Sequence, residues 1–129
     1  MKIILLASFI ILHLNLKAQD SSVTKHDSIP AKIAGGQDAW RKFLEKNIHP
    51  EVPAVHSAPP GRYTVTVSFL VDTTGKISEV QVVNDPGYGT GDDVLKAFKH
   101  CPDWIPATID GKPVKYRQKQ NIYYQVSEQ

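Results

Sequence analysis

The chain runs to 129 residues and carries 15 Lys and Arg against 13 Asp and Glu, with nine prolines and one cysteine. A length of this order suits one domain with a modest core, and the lone cysteine excludes an internal disulfide. The near balance of charge argues against nucleic acid as a partner, because a phosphate backbone selects a strong basic excess.

Lys2 leads into an apolar run from Ile3 to Leu16, relieved by Ser8, His13 and Asn15 and followed by Lys17-Ala18-Gln19-Asp20. This is the layout of a secretory signal, residues 1–18, cleaved after Ala18. As an uncleaved helix the run would extend about 21 Å at ~1.5 Å per residue, short of the ~30 Å hydrocarbon core. An inner-membrane anchor through residues 3–16 is therefore the alternative, and the expectation is an exported, periplasmic chain with no permanent membrane anchor. Loss of Lys2 and Lys17 leaves 13 basic residues against 13 acidic ones.

Residues 19–34 are polar, carry Ser21, Ser22, Thr24, Ser28 and Pro30, and show no sustained apolar period, which predicts a flexible lead-in to a domain over 35–129. Gly35-Gly36 then precede a helix from Gln37 to Ile48, with Trp40, Phe43, Leu44 and Asn47 on one side and Asp38 opposing the positive end of its dipole. Between His49 and Arg62, prolines at 50, 53, 59 and 60 exclude a continuous helix and predict an extended connection.

From Tyr63 to Val71 the odd positions are Tyr, Val, Val, Phe and Val and the even ones Thr, Thr, Ser and Leu, the period of a strand with one buried face. Asp72 to Gly75 supplies a tight reversal, in which Gly75 takes a positive φ and Asp72 bonds the turn backbone, and Ile77 to Val83 returns as the second strand of a hairpin. A loop containing Gly87, Gly89 and Gly91 leads to a helix from Asp92 to Cys101. Its Val94, Ala97, Phe98 and Cys101 share a face, Thr90 or Gly91 caps it, and Asp92 and Asp93 suit its first turn. Pro102-Asp103-Trp104-Ile105-Pro106 is too rich in proline for a regular element. Asp110-Gly111 then turns the chain into a last strand from about Val114 to Val126. There the even positions Val114, Tyr116, Ile122, Tyr124 and Val126 make a core face, and Lys115, Arg117 and Lys119 begin the other face as a basic stripe. These elements make an α+β fold, a small antiparallel sheet of about three strands packed against helices.

From Gly35 to about Gln125 the chain resembles the C-terminal domain of TonB, the energy-transducing protein of Gram-negative envelopes, in a stand-alone form with an extra leading helix. The residues that carry the likeness are Gly35-Gly36 with Trp40, Phe43 and Leu44, Asn47-Ile48-His49-Pro50, Gly61, Val67 to Asp72 with Gly75-Lys76, and Val80, Val82 and Val83. It continues through the helix at Val94 to Lys99, Pro102, Trp104, Pro106-Ala107 and Gly111-Lys112-Pro113-Val114. The chain departs from the family where the anchor is expected to be cleaved and the lead-in is short, and at 51–60, where prolines stand in place of a short alanine-containing helix. The resemblance implies a non-enzymatic module that takes up an extended segment of an envelope protein, such as an outer-membrane TonB-dependent receptor, as an added strand. Energy transduction would need an anchor and a long spacer.

The last strand is the candidate edge for that addition. Gln118, Lys119, Gln120 and Asn121 are polar in succession, Lys115, Arg117 and Lys119 favour acidic peptides, and Tyr123 completes the partner-binding set. Two other classes compete with it. One is a structural subunit that buries the same edge in a homodimer, and the other is a small secreted enzyme or metal binder. The enzymatic candidates are thin. Neighbours on a helix such as His100 and Cys101 point about 100° apart. His49, Glu51 and His56 match no zinc spacing, and the three-glycine loop lacks the Lys and Ser/Thr partners of a phosphate loop. No cofactor is expected.

Overall fold

A computed structural model describes residues 26–128. The expected signal at 1–18 and the first part of the lead-in lie outside the described residues. In chain order the elements are β1 (Ser28–Ile29), β2 (Lys32–Ile33), α1 (Gly36–Asn47), α2 (Val52–Val55), β3 (Gly61–Val71), β4 (Ile77–Asn84), α3 (Thr90–Phe98), β5 (Trp104–Ile105), β6 (Ala107–Ile109), β7 (Lys112–Val114) and β8 (Tyr116–Val126). The main sheet is antiparallel with order β4-β3-β8, and two small sheets, β1-β6-β7 and β2-β5, attach beside it. The α+β architecture read from the sequence is the one observed.

The hairpin forms because its alternation and its turn agree. Val65, Val67, Phe69 and Val71 are fully buried on one face of β3. At the reversal the Asp72 carboxylate accepts from the Thr74 amide and hydroxyl (2.8 and 2.7 Å) and from the Lys76 amide (3.0 Å), and the Thr74 hydroxyl bond is the main reason its pKa lies below the ordinary carboxylate range. Gly75 sits at φ 90°, where a side chain is strained, and a Cβ there would stand 2.0 Å from the Trp104 carbonyl oxygen. The Trp104 amide donates back to the Gly75 carbonyl at 2.8 Å, so the turn is clipped to β5.

Helices α1 and α3 cover the buried face of the sheet through one aromatic cluster. Phe69 lies 5.2 Å from Phe98 and 5.1 Å from Trp104, and Trp40 lies 5.5 Å from Phe43 and 5.9 Å from Trp104, measured between ring centroids. Tilted and edge-on contacts of this kind add to area burial. They assign both tryptophans to packing between helix and sheet.

Four local expectations are corrected. The lead-in is not flexible throughout: β1 pairs with β6 and β2 with β5, and Ala31 and Ile33 are buried. Its short apolar residues find partners far along the chain, at a separation no local period reveals. The turn at Asp110-Gly111, with φ 51° and 81°, also holds it, since the Asp110 carboxylate accepts from the Asp27 amide at 2.9 Å. The connection after α1 is not wholly extended but contains α2, with Pro53 in its first turn, where a missing N–H costs nothing. Trp104–Ile105 forms a short strand despite the prolines on either side of it. Finally, α3 begins two residues earlier than expected and ends at Phe98, not Cys101, and it is capped by Gly89 at φ 78°, not by Thr90 or Gly91.

Candidate functional site

The sheet ends in two edges of different quality. On β4 the pairing with β3 shifts register twice, and Glu79 takes φ 50°, a bulge that interrupts the row of outward groups. On β8 the pairing with β3 is unbroken from Gly61↔Val126 to Val71↔Tyr116. No strand pairs with its outer side among the described residues. The long regular strand is therefore the edge able to accept another.

Alternation divides the residues expected at this edge between two faces. Arg117, Lys119, Asn121 and Tyr123 project from the solvent side, whereas Gln118 and Gln120 are half-buried on the helix side, with the Gln118 amide donating to Gln120 Oε1 at 2.7 Å. Lys115 belongs to neither strand and stands between β7 and β8. The basic stripe is also weaker than its spelling. Arg117 donates to Glu79 Oε1 at 3.0 Å and to the Ser68 hydroxyl at 3.3 Å, which ties it across the sheet. Asn121 Oδ1 accepts from the Thr66 hydroxyl at 2.7 Å, and the Tyr123 ring lies 4.0 Å beneath the Arg62 guanidinium. Lys119 makes no ion pair among the described residues.

Beside the edge runs a groove of about 480 Å³, lined on one side by Trp40, Leu44, Ile48 and Pro50, with Glu45 the one charged residue, and on the other by Asn121, Ile122 and Tyr123. Three consecutive strand residues line it, so β8 offers the groove its backbone edge and not a single face. An extended peptide laid along β8 would hydrogen-bond its backbone and drop alternate side chains against α1. The contribution of α1 is not apparent from periodicity, because Trp40 and Leu44 read as core and their outer flanks serve the groove.

A second cluster lies at the end of α1. Asp93, only 7% exposed, accepts from the His49 backbone amide (2.9 Å), from His49 Nδ1 (2.7 Å) and from the Tyr124 hydroxyl (2.8 Å). The hydrogen bond and the charge of Asp93 hold the His49 imidazole above its ordinary pKa, and burial together with the same carboxylate pushes the Tyr124 phenol up strongly. The sequence assigns Asp93 to the helix dipole. It does stand in the first turn, and its place one residue before Val94, at the border of the apolar face, is the signal that it is buried as well.

The enzymatic candidates do not gather. Cys101 packs against the core, and burial pushes its thiol up, away from the nucleophilic thiolate. His49 is held by Asp93 and His56 by the Val52 carbonyl (2.8 Å). No three His, Cys, Asp or Glu are placed to hold a metal ion among the described residues. Nor is any helix among them long and apolar enough to cross a membrane.

Residues 63–126 match the family model described as the Gram-negative bacterial TonB protein C-terminal. No curated protein matches the chain. The matched span runs from β3 to the end of β8 and so contains both edges of the main sheet, while α1 and α2 lie before it.

Proposed function

Residues 63–126 belong to the TonB C-terminal family of the Gram-negative envelope, and from that premise we propose that the chain is a periplasmic recognition module that binds an extended segment of an envelope protein by adding it to β8. The observation that supports this is the unpaired, register-true edge of β8 opening into the apolar groove along α1. Backbone pairing supplies affinity, the groove selects a bulky apolar side chain, and Lys119 favours a neighbouring acid. An outer-membrane receptor is the partner class. Transduction of energy is not part of the proposal.

The test separates backbone from side chain. Peptides selected on the wild-type protein from a random extended library are measured by calorimetry against proline and alanine variants at Lys119 and Gln120. Because outward amides alternate, one of the two prolines removes a donor that the added strand uses, and that variant is expected to lose at least tenfold in affinity while both alanines lose little. Circular dichroism confirms folding. If both folded proline variants bind as tightly as wild type, the edge is not the site.

A further inference from the structure

Three elements meet at one carboxylate. Asp93 on α3 receives the amide and imidazole of His49, the second residue beyond the end of α1, and the hydroxyl of Tyr124 on β8. On either side of these contacts stand the groove residues, Ile48 and Pro50 flanking His49, and Ile122 and Tyr123 immediately before Tyr124. Asp93 thus ties the two groove walls together. Tyr124 is 1% exposed and fixes the carboxylate from within, while the imidazole, 62% exposed, is the one member solvent protons reach freely.

We propose that His49 and Asp93 form a proton-responsive clasp that positions α1 against β8 and so regulates how well the groove beside the edge receives a peptide. With the imidazolium form the clasp is an ion pair as well as two hydrogen bonds; with the neutral form only the hydrogen bonds from the ring and from the His49 amide remain. The other ionisable groups around it are Glu51, which favours the charged imidazole, Lys96, which opposes it, and His56 and Asp92 in the same recess. Asp85 acts on Tyr124 from the far side. Because the folded pKa of His49 is raised, the ion pair is complete below the ordinary imidazole value of about 6.5 and is lost as pH rises through the folded value. The groove is therefore firmest on the acidic side of neutrality. Exposure of the ring screens the effect, so the regulation is graded.

The clasp rests on the edge reading only for its consequence for binding, and a measurement without ligand tests it alone. In the full folded domain, the Ile48 and Ile122 methyl resonances and the Trp40 indole resonance are followed by NMR from pH 5 to 9 beside the His49 ring. In the wild type they should titrate together, with a midpoint above that of a free imidazole. In His49→Asn, which keeps a donor for Asp93 but cannot take a proton, they should stay fixed. Groove resonances that ignore the His49 titration, or that titrate equally in His49→Asn, overturn the proposal. Affinity for the library-selected peptides should rise roughly two- to fivefold from pH 8 to pH 6 in the wild type and stay flat in His49→Asn. Equal pH dependence in both proteins also overturns the clasp, whereas undiminished binding by both folded proline variants sinks the edge reading and leaves the ligand-free result standing.

Discussion

Phe69 shows how far one side chain carries this structure. It is fully buried, touches both Phe98 and Trp104, and stands at the centre of the sheet. Phe69→Ala is expected to cost roughly 3–5 kcal/mol, the range for a large core residue replaced by a cavity. Thr66→Ala, on the opposite face, removes one hydroxyl bond to Asn121 and should cost about 1 kcal/mol or less. Urea unfolding of the pair checks the assignment of faces, and equal losses would contradict the register. Gly75→Ala is the complementary case, a gain of one methyl. The left-handed φ alone costs about 1–3 kcal/mol, and the Trp104 carbonyl blocks the space, so the variant should unfold at clearly lower urea than any exposed substitution.

At the scale of elements, what could be read in advance depended on whether the deciding contacts were local. The hairpin and both long helices are legible because alternation, helical period and turn chemistry lie within a dozen residues of one another. The strands β1, β2 and β5 are not legible, since two-residue pairings such as Ile33↔Trp104 have no period of their own and exist only once the main sheet is built. The turn of helix at Val52–Val55 is illegible for another reason: proline reads as a breaker, whereas its position at the start of a helix makes it harmless. The site divides in the same way. The edge character of β8 was readable in its polar run, but the pairing of Arg117 with Glu79 crosses β3 and joins residues 38 apart in sequence. A prediction follows from that pair. Glu79→Gln should free the Arg117 guanidinium and raise affinity for acidic peptides at β8 modestly, about twofold, with the gain abolished by high salt.

For the whole molecule, the segment before α1 acts as a strap. It joins the β6–β7 hairpin through β1 and the Asp27–Asp110 contacts, and the turn-clipped β5 through β2. Ile33→Ala is expected to cost about 2–4 kcal/mol, as a buried aliphatic side chain rather than a tail residue, and hydrogen exchange should show the loss spreading to Trp104 and the Gly75 turn. A change confined to residues 26–34 would show that the strap is not coupled to the sheet.

The bulge at Glu79 has a consequence for assembly. Open growth of a sheet, as in a fibre, requires every member to offer two usable edges, one to receive and one to give. This sheet has one regular edge and one that its own backbone has spoiled. Two copies joined through β8 would meet across a twofold axis and leave the bulged β4 at each outer edge of the joined main sheet, so growth of that sheet stops at two. The same edge is then consumed, so a pair of chains and a bound peptide exclude each other. Where this protein self-associates, its ligand should dissolve the dimer, and raising its own concentration should compete with binding.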